Sequence, residues 1–223
     1  MGGEMAKSEK VTREKIILAF LDSCFVKNAG GTSLSDVAQR LGIKKASLYN
    51  HYESRDAMVE DCIRWCGDYY RKTYFIPTDI NSISQRYTAE IVMKGIINRW
   101  FKINEKEPAA QIYSFIESEK YISNAAAKIS KEIKEKLISQ TKQALQSLSN
   151  AKKIRDLNES ELDSAAKIIT SITIANLDEY IVNKKIDIRS NPEGGQDSLF
   201  DIPTESDFSK VDSLVATFCS LLK

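Results

Sequence analysis

Between Thr32 and Tyr52 the chain reads TSLSDVAQRLGIKKASLYNHY, a string that few folds accept. Ser33 is placed to cap a short helix, and Asp36 three residues on complements its free amides. Val37, Ala38 and Leu41 give that helix a buried side. Gly42 tolerates the left-handed turn that ends it. After Ile43 a second helix is predicted over Lys44 to His51, with Leu48 and then Tyr52 as inward anchors. Two helices this short, joined by a glycine turn, make a helix-turn-helix, a unit that lays its second helix in a DNA major groove.

The same residues carry a family resemblance. Thr32-Ser33, Val37-Ala38, Leu41-Gly42-Ile43 and the run Ser47 to Tyr52, followed by Arg55, are similar to the signature of the TetR (tetracycline-repressor-like) family. The likeness covers about the first quarter of the chain, from Thr12 to Met58. It implies an all-α, homodimeric transcription regulator, most simply a repressor, of about nine helices. Residues 1–54 would be a three-helix DNA-binding domain with a flexible tail over 1–10. Residues 55–223 would form a helical domain that dimerises and holds a small effector.

On the second helix, Leu48 faces inward and leaves Lys44, Lys45, Ser47, Tyr49 and Asn50 for the groove. The short hydroxyl and amide side chains of Ser47 and Asn50 suit base edges, whereas Lys45, Tyr49 and His51 suit phosphates. The resemblance implies backbone contacts for Tyr49, His51, Thr32 and Arg55, and Ser33 completes the DNA-facing set. Two positions depart from the family pattern. Lys44 stands where a capping Ser is common, and Ser35 where some members present a base-reading Arg.

Net charge is silent on this point. The 223 residues sum to +1, and residues 1–56 hold nine Lys/Arg against seven Asp/Glu. The DNA argument therefore rests on where the cations sit. No run approaches the roughly 18 uncharged apolar residues of a membrane span. Cys24, Cys62, Cys66 and Cys219 have no framework spacing, which points to a reducing, cytoplasmic setting. Cys62 and Cys66 have only His51 as a possible imidazole partner, so no metal site or cofactor is expected. With one histidine and no nucleophile–base pair, an enzyme is not expected either.

Outside the motif the chain reads as helical throughout. Thr12 caps a first helix to about Lys27, and Ser54 caps a fourth running to about Phe75. Further helices are predicted over Ile83 to Ile103, from Glu107-Pro108 onward, over Asn124 to about Ser149, and from an Asn158/Glu161 capping box to about Lys184. Ile186 to Ser206 reads as a long loop, and Asp207 to Leu222 as the last helix.

Trp65, Tyr69, Trp100, Phe101, Tyr113 and Phe115 are the candidates for an effector cavity between helices, with Asn176 as a polar orienting group. The helix after Asn158 is apolar on more than one side, a surplus that needs covering. Ile172, Leu177 and Tyr180 on it, with Val211, Val215, Phe218 and Leu222 on the last helix, are the expected dimer contacts. The expected partners are thus an operator duplex, a second copy and an unidentified small molecule, with no membrane. The rival expectation is a constitutive DNA-binding or protein-interaction module with no effector.

Overall fold

The computed structural model describes residues 10–191 and 208–223. Ten helices and no strand occur among them. They are α1 (Arg13–Lys27), α2 (Leu34–Arg40), α3 (Lys45–Leu48), α4 (Arg55–Lys72), α5 (Ile80–Arg86), α6 (Ala89–Asn104), α7 (Ala109–Glu119), α8 (Asn124–Asn150), α9 (Glu159–Ser190) and α10 (Phe208–Ser220). Thr12, Ser33, Ser54, Thr88, Ser123 and Asn158 each accept an amide of the following helix start. Each such cap contributes about 1 kcal/mol. Ser33/Asp36 and Asn158/Glu161 are reciprocal capping boxes. None of the described helices is long and apolar enough to cross a membrane.

Several boundaries differ from the sequence expectation, each for a local reason. The segment expected as one helix over Ile83 to Ile103 is two, because Tyr87 and Thr88 are extended and Thr88 caps α6. Helix α4 stops at Lys72 rather than near Phe75. Thr73 turns extended there, and the amides of Phe75 and Ile76 donate instead to Gln140 Oε1 at 2.8 and 3.3 Å. Helix α9 continues past Lys184 to Ser190, absorbing the first residues of the expected loop. Lys184 and Ile188 both lie on its buried face, so the inward stripe outlasts the apolar run. Beyond the C-cap Asn191 the rest of that loop, and all but Lys10 of the expected tail, lie outside the described residues.

Helix α4 is about 27 Å long at the standard rise and is fastened at its far end. Lys136 Nζ of α8 donates to the carbonyls of Tyr70 (2.9 Å) and Arg71 (2.7 Å), where the helix leaves carbonyls unpaired. Tyr70 Oη donates to the buried Asn104 at 2.8 Å, which ties α4 to α6. Helices α8 and α9 pack along one another, and α10 lies on α6 and α9.

The buried cluster runs unbroken from Ile16 to Leu222, across the expected boundary at residues 54/55. Helix α1 packs on α7 and α9, with Phe20 and Phe115 edge-to-face at 5.7 Å. Beside this contact sits Asp22, which accepts from Gln111 Nε2 at 3.0 Å and faces Arg40 at 3.8 Å. Burial, reinforced by the Glu107 carboxylate, pushes Asp22 up to about 6, against the opposing pull of Arg40 and Gln111.

A carboxyl with a raised folded-state pKa stabilises the fold while protonated. That contribution is complete below about pH 4 and is lost as pH rises through about 6. The variant Asp22→Asn should therefore gain on the parent by about 2 kcal/mol between pH 4.5 and 7.5. Urea unfolding of both proteins at the two pH values measures the difference. A constant gap would show that Asp22 is ionised in the fold throughout.

Candidate nucleic-acid interface and internal cavity

The N-terminal unit is built around one glycine turn. Gly42 adopts φ +64°, with no atom within 4 Å of where a Cβ would stand, and ends α2 as the sequence requires. Lys27 Nζ meets Asp36 Oδ1 at 2.6 Å and joins α1 to α2. The Lys27 and Ser33 hydrogen bonds hold the Asp36 carboxyl well below the usual carboxylate range.

Helix α3 is shorter than the eight residues expected. Only Lys45 to Leu48 are α-helical, and beyond them Asn50 and His51 donate three residues back, to Ser47 O at 3.3 Å and Leu48 O at 2.9 Å. No side chain caps its start at Lys44, where the family pattern has Ser. Leu48 is its buried residue. Lys44, Lys45, Tyr49 and Asn50 are exposed, with Ser47 and His51 half-buried beside them. The rear of the element is anchored by Tyr52, whose hydroxyl donates to Asp61 Oδ2 at 2.7 Å. Arg13 closes the joint, with its guanidinium 5.2 Å from the Tyr52 ring centre and one nitrogen donating to His51 O at 3.1 Å.

Two residues expected at phosphates are used elsewhere. Thr32 is buried, and its hydroxyl donates to Asn28 O at 2.7 Å. Arg55 turns into the α1–α2 loop, where Nε donates to Thr32 O at 3.0 Å and a terminal nitrogen donates to Ala29 O. Ala29 O also accepts the Thr32 amide at 3.2 Å, so the guanidinium, with its side chain 33% exposed, braces a loop that is already hydrogen-bonded. Ser33 is exposed, but its hydroxyl donates to Asp36 Oδ2 at 2.7 Å while accepting the Asp36 amide.

In the helical body a cavity of about 110 Å³ lies between α6, α7, α8 and α9. Trp100, Tyr113, Ile133, Leu137 and Ile174 give it an apolar wall. Glu117 lies on its polar side, accepting from Lys120 at 2.5 Å and Ser130 Oγ at 2.6 Å. Trp100 is buried, and its Nε1 has no acceptor among the described residues. Tyr113 Oη donates to Asp178 at 2.7 Å; burial and that bond push the phenol far above its ordinary value.

Of the seven expected effector residues, only Trp100 and Tyr113 reach this cavity. Phe101 and Phe115 are core residues. Trp65 and Tyr69 stack on each other at 6.0 Å, away from it. Asn176 Nδ2 donates back to Ile172 O at 2.8 Å within its own helix. Glu117, Lys120 and Ser130 were not legible as site residues, since an i,i+3 ion pair resembles any solvated helix face.

The expected dimer contacts need a larger correction. Leu177, Tyr180, Val211, Val215, Phe218 and Leu222 are all buried within the protomer. The exposed apolar residues of α9 are instead Ile168, Val182 and Ile186, in line with the half-buried Ile172. With Ala175 and Glu179 they recur at alternating steps of four and three, the spacing of a coiled-coil seam. Leu214 on α10 and Leu221 just past its end are exposed alongside, and Lys210 meets Glu179 at 2.9 Å between the two helices.

This arrangement defines a helix-turn-helix protein with a large helical body. Residues 25–62 match the sequence model described as "Bacterial regulatory proteins, tetR family". The biofilm operon icaADBC HTH-type negative transcriptional regulator IcaR of Staphylococcus aureus is 29% identical over 94 residues, 42% of this chain and 48% of that protein. Its Staphylococcus epidermidis counterpart is 26% identical over the same length. The matched stretch thus spans about half the length of these curated relatives.

Solved structures extend the likeness to the whole fold. A TetR transcription regulator from Haloarcula marismortui superposes with a TM-score of 0.61 at 8% identity, over 94% of this chain and 97% of that one. SmeT, the repressor of the Stenotrophomonas maltophilia multidrug efflux pump SmeDEF, gives 0.55 at 13% identity, over 96% and 91%. The N-terminal unit thus matches the tetR-family sequence model over residues 25–62, and the fold of the described chain is similar to that of solved TetR-type regulators.

Replacing Arg55 with Ala strips the Thr32 carbonyl of its side-chain donor, leaves Ala29 O with the Thr32 amide alone, and should lower stability by about 1–3 kcal/mol. Lys45→Ala touches only solvent and should change it by less than about 0.5 kcal/mol. Thermal unfolding of the two variants compares them directly, and equal midpoints would refute the assignment of Arg55.

Proposed function

We propose that the protein is a dimeric repressor that binds a two-fold operator through paired α3 elements and leaves it when a small molecule occupies the body. The observation that carries this reading is the exposed face of α3, whose lysines, tyrosine and asparagine have no side-chain partner among the described residues, while its rear is fixed by Leu48, Tyr52 and Arg13. The negative-regulator name of the IcaR relatives supports repression rather than activation.

In this reading Lys44, Lys45 and Tyr49 take phosphates, Ser47 and Asn50 read base edges, and His51 serves as a further backbone donor. The exposed seam on α9, with Leu214 and Leu221 beside it, is the surface a second copy covers. An obligate interface of this kind buries about 2,000 Å² or more in total. The cavity walled by Trp100 and Tyr113 is the effector site. At about 110 Å³ it suits a molecule of one ring, since an apolar cavity of about 150 Å³ holds benzene. The unpaired Trp100 Nε1 asks that molecule for an acceptor atom.

The rival reading, a constitutive binder with no effector, draws on the burial of Phe101 and Phe115 in a filled core. A small-molecule set screened for raised melting temperature and for release of DNA separates the two. Release by a molecule that protects Trp100 from quenching favours the effector reading.

The central test is affinity for an operator selected from a random duplex library, and for a scrambled duplex, across a salt series. Lys45→Ala should weaken both and reduce the logarithmic salt slope by about one unit per half-site. Asn50→Ala should relax sequence preference with little change of slope. A Lys45 variant that binds both duplexes like the parent at every salt concentration would defeat the reading. In sedimentation, Val182→Asp should yield a folded monomer, whereas Phe218→Asp should unfold the protomer. A Val182→Asp protein that stays dimeric would move the interface elsewhere.

A further inference from the structure

Along the outer side of α6 runs a groove of about 650 Å³, bounded by Tyr69 of α4 and ending at the α6–α7 turn. That volume lies within the roughly 300–1,000 Å³ typical of small-molecule sites, and it is far larger than the internal cavity. Arg99, Lys102 and Lys106 line it at steps of three and four residues, and all three are exposed. Arg99 and Lys102 share one face of α6, where like charges repel, and Lys106 follows just past the helix end.

Most cations of this molecule are answered by a carboxylate or a carbonyl. Arg64, Arg71, Lys94, Lys120 and Lys142 all have acidic partners within 3.0 Å, for example. Arg99, Lys102 and Lys106 have none among the described residues. The recognition element, with Lys44 and Lys45, shares that property. The groove lining holds these three cations against one carboxylate, Glu107 at its α7 end, and the net positive charge favours an anion.

Two further features narrow the chemistry. Asn98 sits in the groove wall with Nδ2 directed to Asp212 of α10 at 3.4 Å, which leaves its buried Oδ1 without a donor. Tyr69 offers a half-buried ring, backed by Trp65, and Gly95 leaves the opposite wall open because nothing stands within 4 Å of its Cβ position.

We propose that this groove binds a small polyanion carrying a flat ring and a hydrogen-bond donor, with a nucleoside diphosphate as the simplest molecule that has all three parts. The phosphates lie on Arg99, Lys102 and Lys106, and the Arg99 fork takes two oxygens at once. The ring lies against Tyr69, and an amino or hydroxyl group of the ligand donates to Asn98 Oδ1. This site is separate from the cavity at Trp100 and does not depend on the operator reading.

The test is titration calorimetry on the full chain with ADP, adenosine and pyrophosphate at matched ionic strength. ADP should bind at least about tenfold more tightly than pyrophosphate and more tightly again than adenosine. The double variant Arg99→Ala/Lys102→Ala should lose about a hundredfold in ADP affinity, about tenfold for each charged contact. Both positions are exposed on a helix, where Ala preserves the fold, and circular dichroism verifies this. Tyr69→Ala should weaken ADP and leave pyrophosphate unchanged, and Lys128→Ala, an exposed cation elsewhere, should change neither. Absence of ADP binding at millimolar concentration overturns the proposal. So does ADP binding that the double variant leaves intact, or pyrophosphate binding equal to ADP.

Discussion

One guanidinium joins the helical body to the helix-turn-helix. Arg55, the first residue of α4, reaches back into the α1–α2 loop and takes the carbonyls of Ala29 and Thr32. Those carbonyls lead directly into the Ser33 cap, and so set the direction of α2 and of α3 behind it. At the other end of α4, Lys136 takes the carbonyls of Tyr70 and Arg71. The long helix is thus pinned at both ends by cation-to-carbonyl bonds, and a displacement of the body near Tyr70 would be carried along a rigid rod to the loop before α2.

Helix α9 has a double task. Its inner face, with Leu177, Tyr180, Ile181 and Ile188, completes the protomer core, while Ile168, Ile172, Val182 and Ile186 face outward. Few helices in the molecule show apolar residues on both sides, and that is why its hydrophobic pattern is blurred. A protomer whose second face is covered by a copy of itself has a stability that depends on its own concentration.

What the sequence made legible follows from the range of each signal. Caps act within three residues, so Thr12, Ser33, Ser54 and Asn158 could be read directly. The left-handed turn at Gly42 is equally local. Facing is not local. Phe218 and Leu177 lie on apolar stripes that the sequence shows, but which stripe meets the core and which meets a partner depends on the placement of α6 and α8. The same holds for Arg55 and Thr32. Their residue types suit phosphate as well as they suit carbonyls, and only the close approach of the α1–α2 loop decides between them. The cavity escaped for a further reason: its polar side, Glu117 with Lys120 and Ser130, comes from α7, its C-cap and α8, and no spacing in the chain announces that meeting.

The brevity of α3 has a consequence of its own. Four α-helical residues without a side-chain cap hold too few internal hydrogen bonds to be ordered by themselves. The element stands because Leu48 and Tyr52 nail its rear to α1 and α4, while its outer rim is left to the solvent. On the proposed reading, contact with DNA would fasten that rim, and part of the free energy of recognition would be spent on ordering it. A rim that orders only against a matching surface penalises every poor match twice, once in missing contacts and once in unrewarded loss of entropy. Discrimination can then exceed what the few side chains of so short a helix would supply as a rigid template.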